Sequence, residues 1–180
     1  MAINDDVLFA SDLMQEYDIE SKHSIRVEAP IHRVYAKART LNMSDSRTIR
    51  ALFRLRGLPP SALTADGMRR LGFKPLREES PHGFALGIIG QFWTLSGHLV
   101  DFEPAGFPTF REPGFAKALW SFDLRETADG TNLRTMTRVQ TLDRRSHRRF
   151  RRYWRVVGPF SGMIRTSLLR MVRDAAEEGS

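Results

Sequence analysis

The chain of 180 residues contains no cysteine. It therefore has no disulfide framework, no thiol nucleophile and no thiolate zinc cluster. It also lacks any run of about 18 consecutive apolar residues, the length a membrane-crossing helix needs. The N-terminal stretch MAINDDVLFA is acidic and has neither the basic region nor the long apolar region of a secretory signal. A cytoplasmic protein is the expectation. Common catalytic signatures are missing as well, including the Gly-x-Ser-x-Gly elbow, the phosphate-binding glycine loop and the dinucleotide fingerprint, for which Gly83, Gly87 and Gly90 are wrongly spaced. The five histidines show no paired spacing on one helix face. His98, Asp101 and Glu103 make the most metal-like group, yet on a strand His98 points away from the two acids. No metal site and no cofactor are expected.

What is present is a composition of 41% hydrophobic and 27% charged residues, which fits one globular domain over residues 1–180. The net charge of +7 comes mostly from arginine, concentrated in the last quarter of the chain. That asymmetry raises an anionic surface, RNA or a membrane leaflet, as a partner. The competing explanation is that the outer face of any surface helix carries charge.

From Ser146 to Ala176 the pattern is that of one long amphipathic helix. At about 100° per residue, Phe150, Tyr153, Trp154, Val157, Phe160, Ile164, Leu168, Met171, Val172 and Ala175 share one sector. Arg144, Arg145, Arg148, Arg149, Arg151, Arg152 and Arg155 share the opposite one. Such a stripe packs on a partner surface, and Pro159 inside it predicts a bend near Val156 to Phe160.

Upstream, residues 1–17 read as a packing arm, and Asp18 to Ala29 alternates as a half-buried strand. Pro30 opens a helix over Ile31 to Leu41. Two more short helices are predicted, one ending at Arg56 and one over Ser61 to Leu71. Extended stretches follow at Phe73 to Glu79, Phe84 to Trp93 and His98 to Glu103. Gly87 and Gly90 predict bulges or tight bends of a curved sheet in the second of these. The run PAGFPTFREPG, residues 104–114, is a loop. Phe115 to Glu126 alternates except at Leu119, Ala128-Asp129-Gly130 is a hairpin turn, and Thr131 to Asp143 returns. The order is α+β: strand, short helices, a run of antiparallel strands, and one long helix.

This order resembles the START-related superfamily, the polyketide cyclase and lipid-transport proteins of the helix-grip fold. The resemblance covers nearly all of the chain from Ser24 on. It rests on HSIRVEAPIHRVYAKA at 23–38, LGIIGQFW at 86–93, ADGTNLRTMTRV at 128–139 and FRRYWRVVGPFSGMIRTSLL at 150–169. Where proteins of this kind carry Thr-Glu-Thr-Arg-Val, this chain has Thr135-Met136-Thr137-Arg138-Val139, so no role of a carboxylate there carries over. The resemblance implies a strongly curved antiparallel sheet gripping the kinked C-terminal helix over a cavity for an apolar ligand.

The candidate cavity residues are Ile25, Val27, Phe92, Trp120, Phe122, Leu124, Thr135, Thr137, Val139, Tyr153, Trp154, Val157, Phe160 and Ile164. Each aromatic among them is individually as well suited to core packing. Arg165, at the edge of the apolar sector, is either a surface ion-pair residue or a contact for an anionic head group. Phe107 and Phe110 on the proline-rich loop are candidate lid residues. The expected function is binding of a lipid, isoprenoid or polyketide-like molecule by a monomer or homodimer. The alternatives are a cyclase, dehydratase or hydrolase using the same cavity, and anionic docking through Arg148, Arg149 and Arg152.

Overall fold

In a computed structural model, the described residues are 8–40, 50, 68–69, 71–94 and 96–178. The second and third predicted helices lie outside this set, apart from a few positions. Strands β1 (Ile19–Val27), β2 (Lys74–Glu79), β3 (Gly83–Gly90), β4 (Ala116–Thr127) and β5 (Gly130–Thr141) form an open antiparallel sheet in the order β1-β5-β4-β3-β2. Helix α1 (Ile31–Thr40) follows β1, and α2 (Arg144–Glu177) ends the chain. No helix among the described residues is long and apolar enough to cross a membrane.

The β4–β5 hairpin is the centre of the sheet. Its turn residues Ala128 and Asp129 connect strands paired without a break from Ala116–Thr141 to Thr127–Gly130. Gly130 takes φ 143°, and a Cβ there would fall 2.2 Å from the Val27 carbonyl oxygen. Only glycine satisfies both the turn and this approach.

Both faces of the sheet are covered. On one face Val27, Phe84, Trp120, Phe122, Leu124 and Leu133 pack against Ile31, Val34, Tyr35 and Ala38 of α1 and Ile164, Leu168, Leu169, Val172 and Ala176 of α2. On the other face Ala85, Ile89, Leu119 and Met136 are covered by Leu8, Ala10, Met14, Phe102 and Phe107. This second layer explains Leu119: it breaks the alternation of β4 because its side also faces a core. Lys117 shares that side and is buried, its ammonium donating to the carbonyls of Phe107 (3.2 Å) and Pro108 (2.9 Å). Burial pushes this lysine down to about 8.

The N-terminal arm is held to the second face by Arg138. Its guanidinium donates to Glu20 (2.8 Å) and to the carbonyls of Ser11 (2.8 Å) and Met14 (2.7 Å), and lies over the Tyr17 ring. Arg77 adds a bidentate pair with Asp12, both bonds 2.7 Å. Within the arm, Ser11–Leu13 forms a single 3-10 turn.

Two expectations are corrected. No strand forms over His98 to Glu103, because both edges of β3 are taken by β2 and β4 over most of its length. Only Val100 bonds to β3, through the Ile89 carbonyl (3.0 Å), beyond the last β2 pair at Lys74–Gly87. The glycines of β3 are not bulges either, since β3 pairs β4 in continuous register. The irregularity lies in β2 between Pro75 and Arg77, where proline has no N–H for the ladder. Gly87 serves packing: a Cβ there would meet Leu76 at 2.7 Å and the Phe107 ring at 2.9 Å.

Helix α2 runs from Arg144 to Glu177 through Pro159, which is exposed. Asp143 starts it. One carboxylate oxygen accepts from the Arg145 and Ser146 amides (2.8 and 3.0 Å), and the other from the Ser146 hydroxyl and the Gly114 amide (both 2.6 Å). These bonds hold the Asp143 carboxyl down to about 2. A depressed carboxyl stabilises the fold above its unfolded value, and the contribution is lost as pH falls through the folded one. Asp143→Ala is expected to cost about 1–2 kcal/mol at neutral pH. In chemical denaturation at stepped pH, the gap between parent and variant should close as pH falls from 3.8 to about 2.

Candidate ligand cleft

Between α1, β2, β3, β4 and the second half of α2 lies a cleft of about 60 Å³. Its apolar lining includes Phe73, Phe84, Leu86, Trp120, Phe122 and Leu168. The alternation of β3 and β4 places Phe84, Leu86, Trp120 and Phe122 on the helix side, and the rings of Phe84, Phe122 and Trp120 form a continuous tray. Phe84 stacks on Phe122 at 4.7 Å, Trp120 tilts against Phe122 at 5.1 Å, and Phe73 meets Trp120 edge-on at 6.3 Å. Such arrangements add specific attraction to the burial of area.

A polar group closes the side of the cleft nearest α1. Arg39 lines it, lies over the Phe84 ring at 5.1 Å and pairs with Glu78 at 2.9 Å. Glu78 also accepts from the Tyr35 hydroxyl (2.6 Å). Burial and this carboxylate push the Tyr35 hydroxyl up from its ordinary range.

The other polar group is built on Trp120. Its indole N–H donates to the Thr135 hydroxyl (2.8 Å), which donates on to the Ser121 carbonyl (2.9 Å), and all of this is buried. Arg165 of α2 donates from Nε to Thr137, two residues beyond Thr135 on β5 (2.6 Å), and its guanidinium lies 5.1 Å from the Trp120 ring centre. Arg165 therefore faces the sheet. His23 of β1 is the neighbouring ionisable group; burial first, and then the charge of Arg165, holds its imidazole below the ordinary range. Its Nε2 lies 3.1 Å from the Ser21 hydroxyl. No group of three or more metal-ligating side chains occurs among the described residues.

The residues proposed from the sequence fall into several places. Trp120 and Phe122 line the cleft. Ile25, Val27, Leu124, Phe160 and Ile164 belong to the same core without lining it. Thr135 and Thr137 hold Trp120 and Arg165. Phe92, Val139, Tyr153 and Trp154 form a separate cluster around Phe150, which stacks on Trp154 at 5.6 Å. Gly158 lies close under this cluster, where a Cβ would sit 3.0 Å from the Trp154 indole nitrogen. Val157, between the two clusters, is half-buried.

Phe107 and Phe110 are not a lid. Phe107 is fully buried and Phe110 partly buried in the layer on the opposite face of the sheet. Residues not anticipated are Arg39, Phe73, Phe84, Leu86 and the Tyr35–Glu78 pair. Phe84 and Leu86 were concealed in a run of apolar residues covering both faces of β3. Nothing local distinguishes Arg39 from other helix arginines.

No protein-family model matches the chain, and no curated protein matches it. Among solved structures, it is similar to a conserved protein from Geobacillus kaustophilus, with 11% identity, 89% of this chain and 96% of that one covered, and a TM-score of 0.46. A protein from Thermus thermophilus gives 11% identity, coverage of 90% and 99%, and a TM-score of 0.37. The di-domain ARO/CYC StfQ from the steffimycin biosynthetic pathway gives 12% identity, 89% of this chain and 51% of that one, and a TM-score of 0.36.

Two substitutions separate the layers. Phe107→Ala is expected to cost about 3–5 kcal/mol in urea denaturation, the range for a buried phenylalanine, whereas loss of an exposed lid residue would change stability by less than about 0.5 kcal/mol. Thr135→Val keeps shape but strips the indole N–H of its acceptor, so a loss of about 1–3 kcal/mol is expected. A variant as stable as the parent would mean that Trp120 is satisfied elsewhere.

Proposed function

We propose that this chain is a helix-grip binding protein for a small amphipathic molecule, seated in the cleft with its polar end toward Arg165. One observation carries this reading: the aromatic tray that lines the cleft ends at Trp120, and Arg165, which does not itself line the cleft, places its guanidinium 5.1 Å from the centre of that ring. Apolar concavities with a few placed polar groups are the usual small-molecule sites. A guanidinium presents a fork that matches a carboxylate or phosphate.

Size narrows the ligand. The cleft of about 60 Å³ compares with roughly 300 Å³ at the lower end of drug-sized sites. A single ring or a short acyl chain is the natural occupant. A long lipid, isoprenoid or polyketide requires Phe73 and Leu168 to move apart.

Calorimetric titration with a short-chain carboxylate and the alcohol of equal length tests the reading. The parent is expected to favour the carboxylate by about 10–100-fold, as a hydrogen bond to a charged group is worth roughly 1.5–3 kcal/mol. Arg165→Gln should erase that preference and leave the alcohol's affinity in place. Absence of saturable binding by either ligand, or an undiminished preference in the variant, would refute it.

A further inference from the structure

The outer face of α2 has no part in the cleft, and its composition runs against the needs of the helix. Its first turn holds no acid and its last turn no base, the reverse of what the macrodipole favours. All seven arginines from Arg144 to Arg155 are exposed. No carboxylate occurs in the chain between Asp143 and Asp174, and Asp143 is engaged as the helix cap. The fold brings none in either: among the described residues no ion pair reaches the seven arginines, and Asp123 is held by Arg134 and Arg125 on the far face of the sheet. The strip is an unneutralised cationic surface.

Its continuation is apolar. On the helical wheel Val156, Pro159 and Met163 fall on the same side as the arginines. All three are exposed, Val156 at 66% and Met163 at 51%. They join none of the core clusters. A basic strip leading into an exposed apolar one along a single helix face suits a helix lying in a bilayer interface, with guanidiniums at the phosphates and apolar tips among the acyl chains. A surface for single-stranded RNA calls for stacking aromatics among its cations. Here Phe150, Tyr153 and Trp154 turn toward the sheet.

We infer that the outer face of α2 from Arg144 to Met163 docks on the surface of an anionic lipid bilayer. The test is flotation of the full chain with phosphatidylcholine vesicles, with and without phosphatidylserine, at low and raised salt. Binding should require phosphatidylserine and weaken with salt. Joint replacement Arg148→Glu, Arg149→Glu and Arg152→Glu should lower vesicle affinity about a hundredfold, with unchanged thermal melting and unchanged carboxylate binding in the cleft. Val156→Ser with Met163→Ser should lower vesicle affinity about tenfold and leave any RNA binding untouched. No binding of the parent to phosphatidylserine vesicles at low salt would overturn the inference. So would an arginine variant that binds like the parent. Vesicle binding indifferent to the serine pair would overturn it too, showing a general polyanion patch rather than a bilayer site.

Discussion

The carboxylate of Asp143 joins three parts of the chain that would otherwise be independent. It satisfies two amides at the start of α2, and it takes the Gly114 amide at the entry to β4. The first turn of α2 and the end of the proline-rich loop thus share one acceptor, two residues beyond the end of β5. The helical repeat carries the phase set by the first turn along α2, although Pro159 removes one backbone bond on the way. Ile164 and Leu168 meet the sheet from the second half of the same helix. The cap lies about seven turns from Leu168, the α2 residue that lines the cleft.

A second constraint is that the sheet has two covered faces. The central strands need apolar side chains on both sides, so Leu119, Lys117 and Met136 lie under the N-terminal arm and the loop that carries Phe107. Arg138 ties the arm down by neutralising Glu20 and satisfying two backbone carbonyls at once. With that face closed, the helix side is the one where aromatic surface borders open space. The cleft is a consequence of how the rings of Phe84, Trp120 and Phe122 lean on one another beside α1 and Leu168.

The inner and outer faces of α2 carry different chemistry. The inner face is anchored at Phe150 near its start and from Ile164 to Ala176 near its end. Between these anchors Val156 and Met163 reach solvent and Gly158 lies under Trp154. The apolar cleft borders one face of α2 and the cationic strip lies on the other.

Much of this was legible in the residues alone, because periodicity reports which side of an element is buried. The β4–β5 hairpin follows from alternation and the Ala-Asp-Gly turn, and α2 from its apolar stripe. The outward arc follows from arginines at helical spacing. Pairing across the sheet and the second layer were not legible, because they join residues far apart in sequence. Leu119 looked misplaced until the arm covered it, and Phe107 looked like a lid until Gly87 made room for it on the opposite face. Arg165 shows the limit most sharply. Its position on the helical wheel left it at the edge of the stripe, and only the approach of Thr137 and Trp120 from two different strands decided that it turns inward. Local pattern determines which face of an element is buried; what that face meets depends on the packing of distant strands.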